Sequence, residues 1–310
     1  MLWGLTSVYR NELYNSKRNI YENFFCPEEK IHISKFIATS YLNEEVEIEK
    51  LYYNIELFNS YDSFKNIHIK KAVKEGESFL KLKIMIKKEI VAWGLDAKEY
   101  DLNKTGVHLN AEEFNALIEK DDTILIDMRN NYESEVGKFE NAICPTSKRS
   151  KDLIKETQKI LKGKEKQNIA MYCTGGIRCE KASSHLIKQG FKNVFQLNGG
   201  IIEYANETKQ KGIKSKFIGK NFVFDDRLGE RITDDIIAKC HLCGNDSDSH
   251  TNCKNDACHL LFIICKQCDQ KLMGCCSLEC KEIYQLPIEE QRKIRKKFAK
   301  KFKNKFRPRV

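Results

Sequence analysis

No apolar run in this chain of 310 residues approaches the roughly 18 that a helix needs to cross a bilayer. The opening Met1-Leu2-Trp3-Gly4-Leu5 is too short for the core of a secretory signal and has no basic segment before it. These two absences argue against a membrane-spanning or exported protein and set the expectation of a cytoplasmic one. Between Gln291 and Val310 there is no Asp or Glu, against eleven Lys or Arg. The whole chain carries a formal charge of +10, so the preceding 290 residues are about one unit negative. A near-neutral body with a cationic tail fits an anionic polymer partner, RNA first, with a solvated solubility tail as the alternative.

The chain is long enough for two or three domains, each with its own core. Residues 1–104 read as a small α+β domain, with strands at 31–37 and 79–87 and no catalytic motif; His32 and His68 read as surface or packed histidines, and Cys26 has no local metal partner. Around Asn103-Lys104-Thr105-Gly106 the pattern loses its period, which marks a linker. From 105 to 212 helical and strand segments alternate. Asn110 N-caps a helix with Glu113 three residues on, and Thr123-Ile124-Leu125-Ile126-Asp127 is a continuous apolar strand ending in an acid. A helix at 153–161, a strand at 168–173, a helix at 179–189, a strand at 194–197 and a helix from about Ile201 follow. That order predicts an α/β fold, a parallel sheet with helices on both faces, with the chemistry at the C-terminal strand ends. Residues 213–290 form a cysteine-rich module and 291–310 a basic tail. In the tail Ile294, Phe298, Phe302 and Phe306 recur every four residues, an apolar stripe on a helix.

Met171-Tyr172-Cys173-Thr174-Gly175-Gly176-Ile177-Arg178-Cys179 joins a strand to a helix through a glycine loop. A thiol there lies among backbone N–H groups at a helix N-terminus, which favours thiolate over thiol and makes Cys173 a candidate nucleophile. Gly175 and Gly176 let the loop bend so that its N–H groups point inward, and Arg178 is placed to close the cradle and hold negative charge. The Cys173–Arg178 spacing is one residue shorter than the C-x5-R cradle of cysteine phosphatases. The tighter loop suits a sulfur-centred anion such as a persulfide better than a phosphate. Cys179 either resolves an oxidised Cys173 or simply packs.

Nine of the thirteen cysteines lie between Cys240 and Cys280. In a reducing compartment such a cluster binds metal more often than it forms disulfides. Cys240, Cys243, Cys265 and Cys268 would make one tetrahedral thiolate site. Cys253, Cys258, either Cys275 or Cys276, and Cys280 would make a second, with His241, His250 and His259 as substitutes. Zinc is the expected metal, an iron–sulfur cluster and a metal-free module being the alternatives. So small a segment holds little apolar material, and metal would supply much of its folding energy. Phe222, Phe224 and His250 are candidates, with the basic tail, for base stacking and phosphate contact, or ordinary core.

These motifs resemble a known family. Asp127-Met128-Arg129-Asn130, Glu133, the stretch from Glu135 to Ala142, the Cys173 loop and Leu197-Asn198-Gly199-Gly200-Ile201 are similar to a rhodanese domain. The wording of the Cys173 loop, with Phe217 to Asp225, Arg227, Gly229 to Ile232, and Ser249 to Asp256, resembles more narrowly the oxygen-dependent tRNA uridine(34) hydroxylases. The resemblance runs from about residue 76 to 290. Family members carry an N-terminal ferredoxin-like domain with a Glu-Gly-Ile-Asn motif; that motif is not found here, and the first 75 residues look shortened or diverged. The resemblance implies 5-hydroxylation of the wobble uridine of certain tRNAs with dioxygen as co-substrate, the anticodon arm as partner, and Cys173 as catalytic residue. It implies that Asp127 and Arg129 brace the fold and the loop rather than react. The rival readings are a sulfurtransferase passing persulfide sulfur from Cys173 and a non-catalytic RNA-binding protein.

Overall fold

The computed structural model describes residues 91–147, 150–224 and 227–302. The expected strands at 31–37 and 79–87, Cys26, His32 and His68, and the end of the basic tail lie outside the described residues. Within them, β1 (Val107–Leu109), α1 (Ala111–Ile118), β2 (Thr123–Asp127), the single-turn α2 (Asn131–Ser134), β3 (Gly137–Phe139) and α3 (Ser150–Leu161) come first. Then follow β4 (Asn168–Tyr172), α4 (Ile177–Lys188), β5 (Asn193–Leu197) and α5 (Gly200–Lys211). Each start signal has a visible cause. Asn110 accepts from the Glu113 N–H while Glu113 accepts from the Asn110 N–H, a reciprocal cap that fixes where α1 begins.

Strands β1, β5, β4 and β2 lie side by side in that order and are all parallel. Side chains alternate across β4, and both faces are buried, which is why the strand is a continuous apolar run. Ile169 and Met171 face a layer built on Leu153, Ile154 and Leu161 of α3 and Ala182 and Leu186 of α4. Ala170 and Tyr172 face Phe114 and Leu117 of α1 and Ile201 and Tyr204 of α5. Each fully buried Leu or Ile side chain in these layers contributes roughly 2 kcal/mol. Cys173 continues the alternation onto the α3/α4 side and is itself buried. The strand β1 has no counterpart in the sequence reading: three residues are too few to show a period.

The segment read as a linker is tied down. Gly106 N–H donates to Ser183 Oγ at 2.8 Å and Asp101 N–H to Ser184 Oγ at 2.6 Å, both on α4. Trp93 is buried in the same core, and Lys181 of α4 reaches the Val91 carbonyl at 2.9 Å. Residues 91–106 therefore form a strap over the helix that begins at the Cys173 loop.

The C-terminal part is joined to this layer by backbone. β6 (Phe217–Asn221) pairs antiparallel with β3, and β7 (Glu230–Arg231) pairs with β6. The cysteine-rich module then folds as β8 (His250–Asn252), β9 (Leu261–Ile263), α6 (Lys266–Leu272) and α7 (Leu278–Gln285), and the chain continues into α8 (Ile288–Phe302).

Candidate active site

The end of β4, the loop and the start of α4 place Cys173 at the C-terminal edge of the sheet. Gly176 takes φ 86°, a left-handed conformation that suits glycine, and directs its N–H to Cys173 Sγ at 3.1 Å. The backbone N–H groups of Arg178 and Cys179 also help to stabilise negative charge on this sulfur. The loop is held from behind by α5: Ile201 N–H donates to the Cys173 carbonyl at 3.0 Å and Ile202 N–H to the Thr174 carbonyl at 3.2 Å. Gly200 makes that contact possible, because a Cβ there would lie 2.5 Å from the Cys173 carbonyl and 2.7 Å from the Gly176 nitrogen.

Burial pushes the Cys173 thiol up, as for any desolvated acid. The Cys179 thiol, the Arg178 guanidinium and the loop N–H groups outweigh it and draw the value down to about 5. Cys173 is a thiolate at neutral pH. Cys179, buried and beside that charge, is held well above the ordinary thiol range and stays protonated.

Arg178 has a carboxylate partner that the spacing did not reveal. Glu133, from α2, takes it in a two-point pair: Arg178 Nη1 to Glu133 Oε1 at 2.7 Å and Nη2 to Oε2 at 2.8 Å. Thr174 Oγ1 accepts from Arg178 Nη2 at 3.2 Å and donates to Glu133 Oε2 at 3.3 Å. Burial raises the Glu133 carboxyl, but Arg178 lowers it more, so it is ionised. The guanidinium supplies positive potential to Cys173 while two of its nitrogens are held by Glu133, and the Gly176 N–H donates directly to the sulfur. Glu133 was visible in the family wording but not as a partner of Arg178, since the two are 45 residues apart.

Asp127 and Arg129 form a second buried pair with no exposure on either side chain. Arg129 Nη2 donates to Asp127 Oδ2 at 2.7 Å and to the Gly137 carbonyl at 2.6 Å. Tyr172, next to Cys173, donates its hydroxyl to Asp127 Oδ2 at 2.8 Å. The guanidinium also lies 5.5 Å from the Tyr172 ring centre and 5.6 Å from that of Phe217. The Gly137 and Phe217 contacts tie the end of β2 to β3 and β6, the Tyr172 contacts tie it to β4, and none of them is made to the sulfur.

In the cysteine-rich module the sulfurs of Cys240, Cys243, Cys265 and Cys268 lie within 4.8 Å of one another, and so do those of Cys253, Cys258, Cys276 and Cys280. The sulfurs of Cys243 and Cys265 are 3.6 Å apart, as are those of Cys258 and Cys276, and none of the eight is in a disulfide. A disulfide needs about 2.05 Å, whereas four sulfurs at about 2.3 Å around one ion sit about 3.8 Å from each other. Both sets thus have the donor chemistry and spread of a tetrahedral thiolate site, and either could hold a metal. Cys275 is buried outside both groups. His241, His250 and His259 also stand outside them. His241 Nδ1 accepts from the Ile263 N–H at 3.3 Å and its Nε2 meets Glu135 Oε1 at 2.6 Å. Burial holds His250 down to about 4, and its ring packs edge-on against Phe222 at 5.0 Å.

Phe222 is core rather than a base-stacking surface. It is 1 % exposed and packs on Tyr132, Val136 and Leu261, with Phe224 half-buried beside it. On α8 the described basic side chains, Arg292, Lys293, Arg295 and Lys296, are exposed.

Residues 110–207 match the family described as rhodanese-like domain, and 218–281 the one described as rhodanase C-terminal. A tRNA uridine(34) hydroxylase of Leptospira interrogans is 45% identical over 297 residues, covering 94% of this chain and 80% of its own. One from Yersinia pestis is 47% identical over 291 residues, covering 93% and 80%. The rhodanese-like domain of an Anabaena protein is similar at 20% identity, covering 36% of this chain and 78% of its own with a TM-score of 0.29. Coverage of 94% extends the likeness well into the first 75 residues, beyond the span of 76 to 290 read from motifs.

Proposed function

The chain belongs to the tRNA uridine(34) hydroxylase family, and from that premise we propose that it converts the wobble uridine of tRNA to 5-hydroxyuridine with Cys173 as the nucleophile. The observation that carries the assignment of Cys173 is its sulfur: a buried thiolate at the C-terminal edge of the sheet, in a ring of backbone N–H groups. Thiolate addition to C6 of the uracil ring makes C5 electron-rich, and C5 is then the carbon that meets the oxidant. The N–H groups that hold the sulfur's charge in the resting loop favour its return as leaving group when the ring is rearomatised. Dioxygen is the oxygen source; one of its atoms enters the base and the other leaves as water, with two electrons from a reductant.

The tRNA anticodon arm is the partner. The exposed Arg292, Lys293, Arg295 and Lys296 of α8 support this reading, because phosphate contacts come from such residues. Zinc occupies the two tetrathiolate groups, Cys240/Cys243/Cys265/Cys268 and Cys253/Cys258/Cys276/Cys280, and its part is structural: four protein ligands leave no open position for substrate. The sulfur spacings support it. No helix among the described residues is long and apolar enough to cross a membrane, and the place of action is the cytoplasm, where tRNA is modified.

The test is Cys173→Ser in a cell lacking its own uridine hydroxylation. Wild type restores 5-hydroxyuridine in tRNA, measured by mass spectrometry of nucleosides, and the variant does not. Undiminished product from the variant would sink the assignment of Cys173. Sulfur transfer from thiosulfate to cyanide with no hydroxylation would replace the reading by a sulfurtransferase.

A further inference from the structure

We propose that the outer face of α3 is a track for one phosphate strand of the tRNA, carried by Lys151, Lys155 and Lys159 and continued by Lys162, which guides the anticodon stem to Cys173. This deepens the hydroxylase reading and rests on tRNA as the substrate.

The row follows from the pattern of α3. Leu153, Ile154, Thr157 and Leu161 face the core, which turns Lys151, Lys155 and Lys159 outward, and all three are exposed. Successive members are four residues apart, so they share one face and advance by about 6 Å each. Lys162, directly after the last residue of the helix, is exposed too and extends the row to about 16 Å. Like charges at this spacing repel and weaken a helix. Among the described residues no acid forms an ion pair with any of the four. On the flank, Asp152 is half-buried, and Glu156 is engaged by the Thr146 N–H and hydroxyl, at 2.8 and 3.0 Å, and by the Ser147 hydroxyl. The contrast is with α8, where Arg292 is paired with Glu289 at 2.7 Å and Arg295 with Asp256 at 3.0 Å. A file of unneutralised cations complements the evenly spaced phosphates of a nucleic-acid strand.

Its position ties it to the nucleophile. Thr157 Oγ1 lies 3.7 Å from Met128 Sδ, and the Met128 N–H donates to the Tyr172 carbonyl at 2.8 Å, one residue before Cys173. Leu153 and Ile154 belong to the same apolar cluster as Cys173. Since α3 leads into β4, and β4 runs toward Cys173, the helix itself runs away from the site. Lys151 is therefore the end of the row at the reactive edge of the sheet, and Lys162 is the far end. A base can reach a buried sulfur only if the strand that carries it is held outside, and A-form RNA is gripped through its backbone rather than its sequence.

The experiment uses full-length protein and an unmodified tRNA transcript with uridine at the wobble position, with binding followed by fluorescence anisotropy across a salt series. Each phosphate contact contributes about 0.7–0.9 to the slope of log affinity against log salt. The combined variant Lys151→Gln, Lys155→Gln, Lys159→Gln and Lys162→Gln is expected to lower that slope by about 3. Glutamine is as good a helix former as lysine, and removing like charges relieves repulsion, so the fold is kept and the melting temperature does not fall. The charge-matched control replaces Lys192, Lys209, Lys211 and Lys214, exposed lysines away from α3, by Gln and is expected to keep a slope within about 1 of wild type. In turnover the row variant raises KM for tRNA and leaves kcat within a few-fold, the mark of lost binding rather than lost chemistry. A row variant with the slope of wild type, a control lowered as much as the row variant, or a wild type that does not bind tRNA overturns the proposal. A slope that depends on the row, together with no 5-hydroxyuridine from wild type, supports the track and removes the hydroxylase reading. Hydroxylation by wild type with binding that ignores the row removes the track alone, so the two failures are distinct.

Discussion

Glu133 holds Arg178 in a two-point ion pair, with separations of 2.7 and 2.8 Å, from a helix of a single turn. Asn130 caps that turn and donates through its side-chain amide to the same carboxylate at 2.8 Å. The pair spans the gap between the start of α2 and the start of α4, so the loop's arginine is a structural cation first and a source of potential second.

Glu133→Gln leaves a largely buried guanidinium without its counter-ion. Breaking a buried pair from one side costs about 3–5 kcal/mol. The variant is expected to lose stability on that scale in urea unfolding, and a loss below 1 kcal/mol would show that the pair is not engaged in solution. The pH dependence has a definite sign. The Glu133 carboxyl is depressed in the folded protein from its ordinary 4.5, so its stabilisation is complete above that value and is lost as the pH falls through the lower folded value. Wild type weakens on acidification in that range, and the Gln variant lacks this component.

Cys173 carries the same sign over a different window. Its folded value is about 5 against an ordinary 9. The thiolate's stabilisation is full above 9 and declines as the pH falls toward 5. Denaturant unfolding at pH 6 and pH 8 should therefore show wild type gaining more stability on going to pH 8 than Cys173→Ser does. Equal gains would mean that the sulfur is not held as an anion.

Metal analysis separates the cysteines. Wild type is expected to bind two zinc ions per chain, Cys243→Ser and Cys258→Ser to lose one each, and Cys275→Ser to keep both, since only Cys275 of the nine stands outside the two groups. A chelator strong enough to strip both ions should unfold the module. One ion lost from Cys275→Ser and none from a Cys276→Ser control would reverse the ligand assignment.

Arg129→Met removes one half of a fully buried pair and leaves Asp127 without its counter-ion, with the Tyr172 hydroxyl still bonded to it. The expected result is a drop in melting temperature with a cost of about 3–5 kcal/mol, while the hydroxylation rate per folded molecule below the transition stays within a few-fold of wild type. Loss of turnover in a stable, folded variant would move Asp127 and Arg129 from bracing into the chemistry.

What could be read from the chain alone was whatever is local. The Asn110–Glu113 cap, the apolar run 123–127 and the strand–glycine–helix sequence around Cys173 each carry their cause within a few residues, and the structure has them as read. The two cysteine groups were also legible, because two-residue gaps repeat; the choice between Cys275 and Cys276 was not, since adjacent residues differ only in which way the backbone turns. The Glu133 partner of Arg178 was not legible for a physical reason: it is remote in sequence, and a free arginine beside a nucleophile looks the same on paper as a paired one. Phe222 was undecidable in the same way, since exposure depends on Tyr132 and Leu261 arriving from elsewhere. The pairing of β3 with β6, Gly137 opposite Gly219, leaves no mark in either three- or five-residue strand.

That last pairing sets the point in synthesis at which the sheet edge can close. The carbonyl of Gly137 receives Arg129, and the Val136 carbonyl receives the Lys220 N–H at 2.8 Å. Nothing can complete that edge until residue 221 has left the ribosome, long after the nucleophile and its loop have emerged. A fragment cut at Gly212 would present β3 as a bare edge and self-associate. The two segments that match separate families therefore share one sheet edge, which the later segment closes after every residue that holds the reactive sulfur has been made.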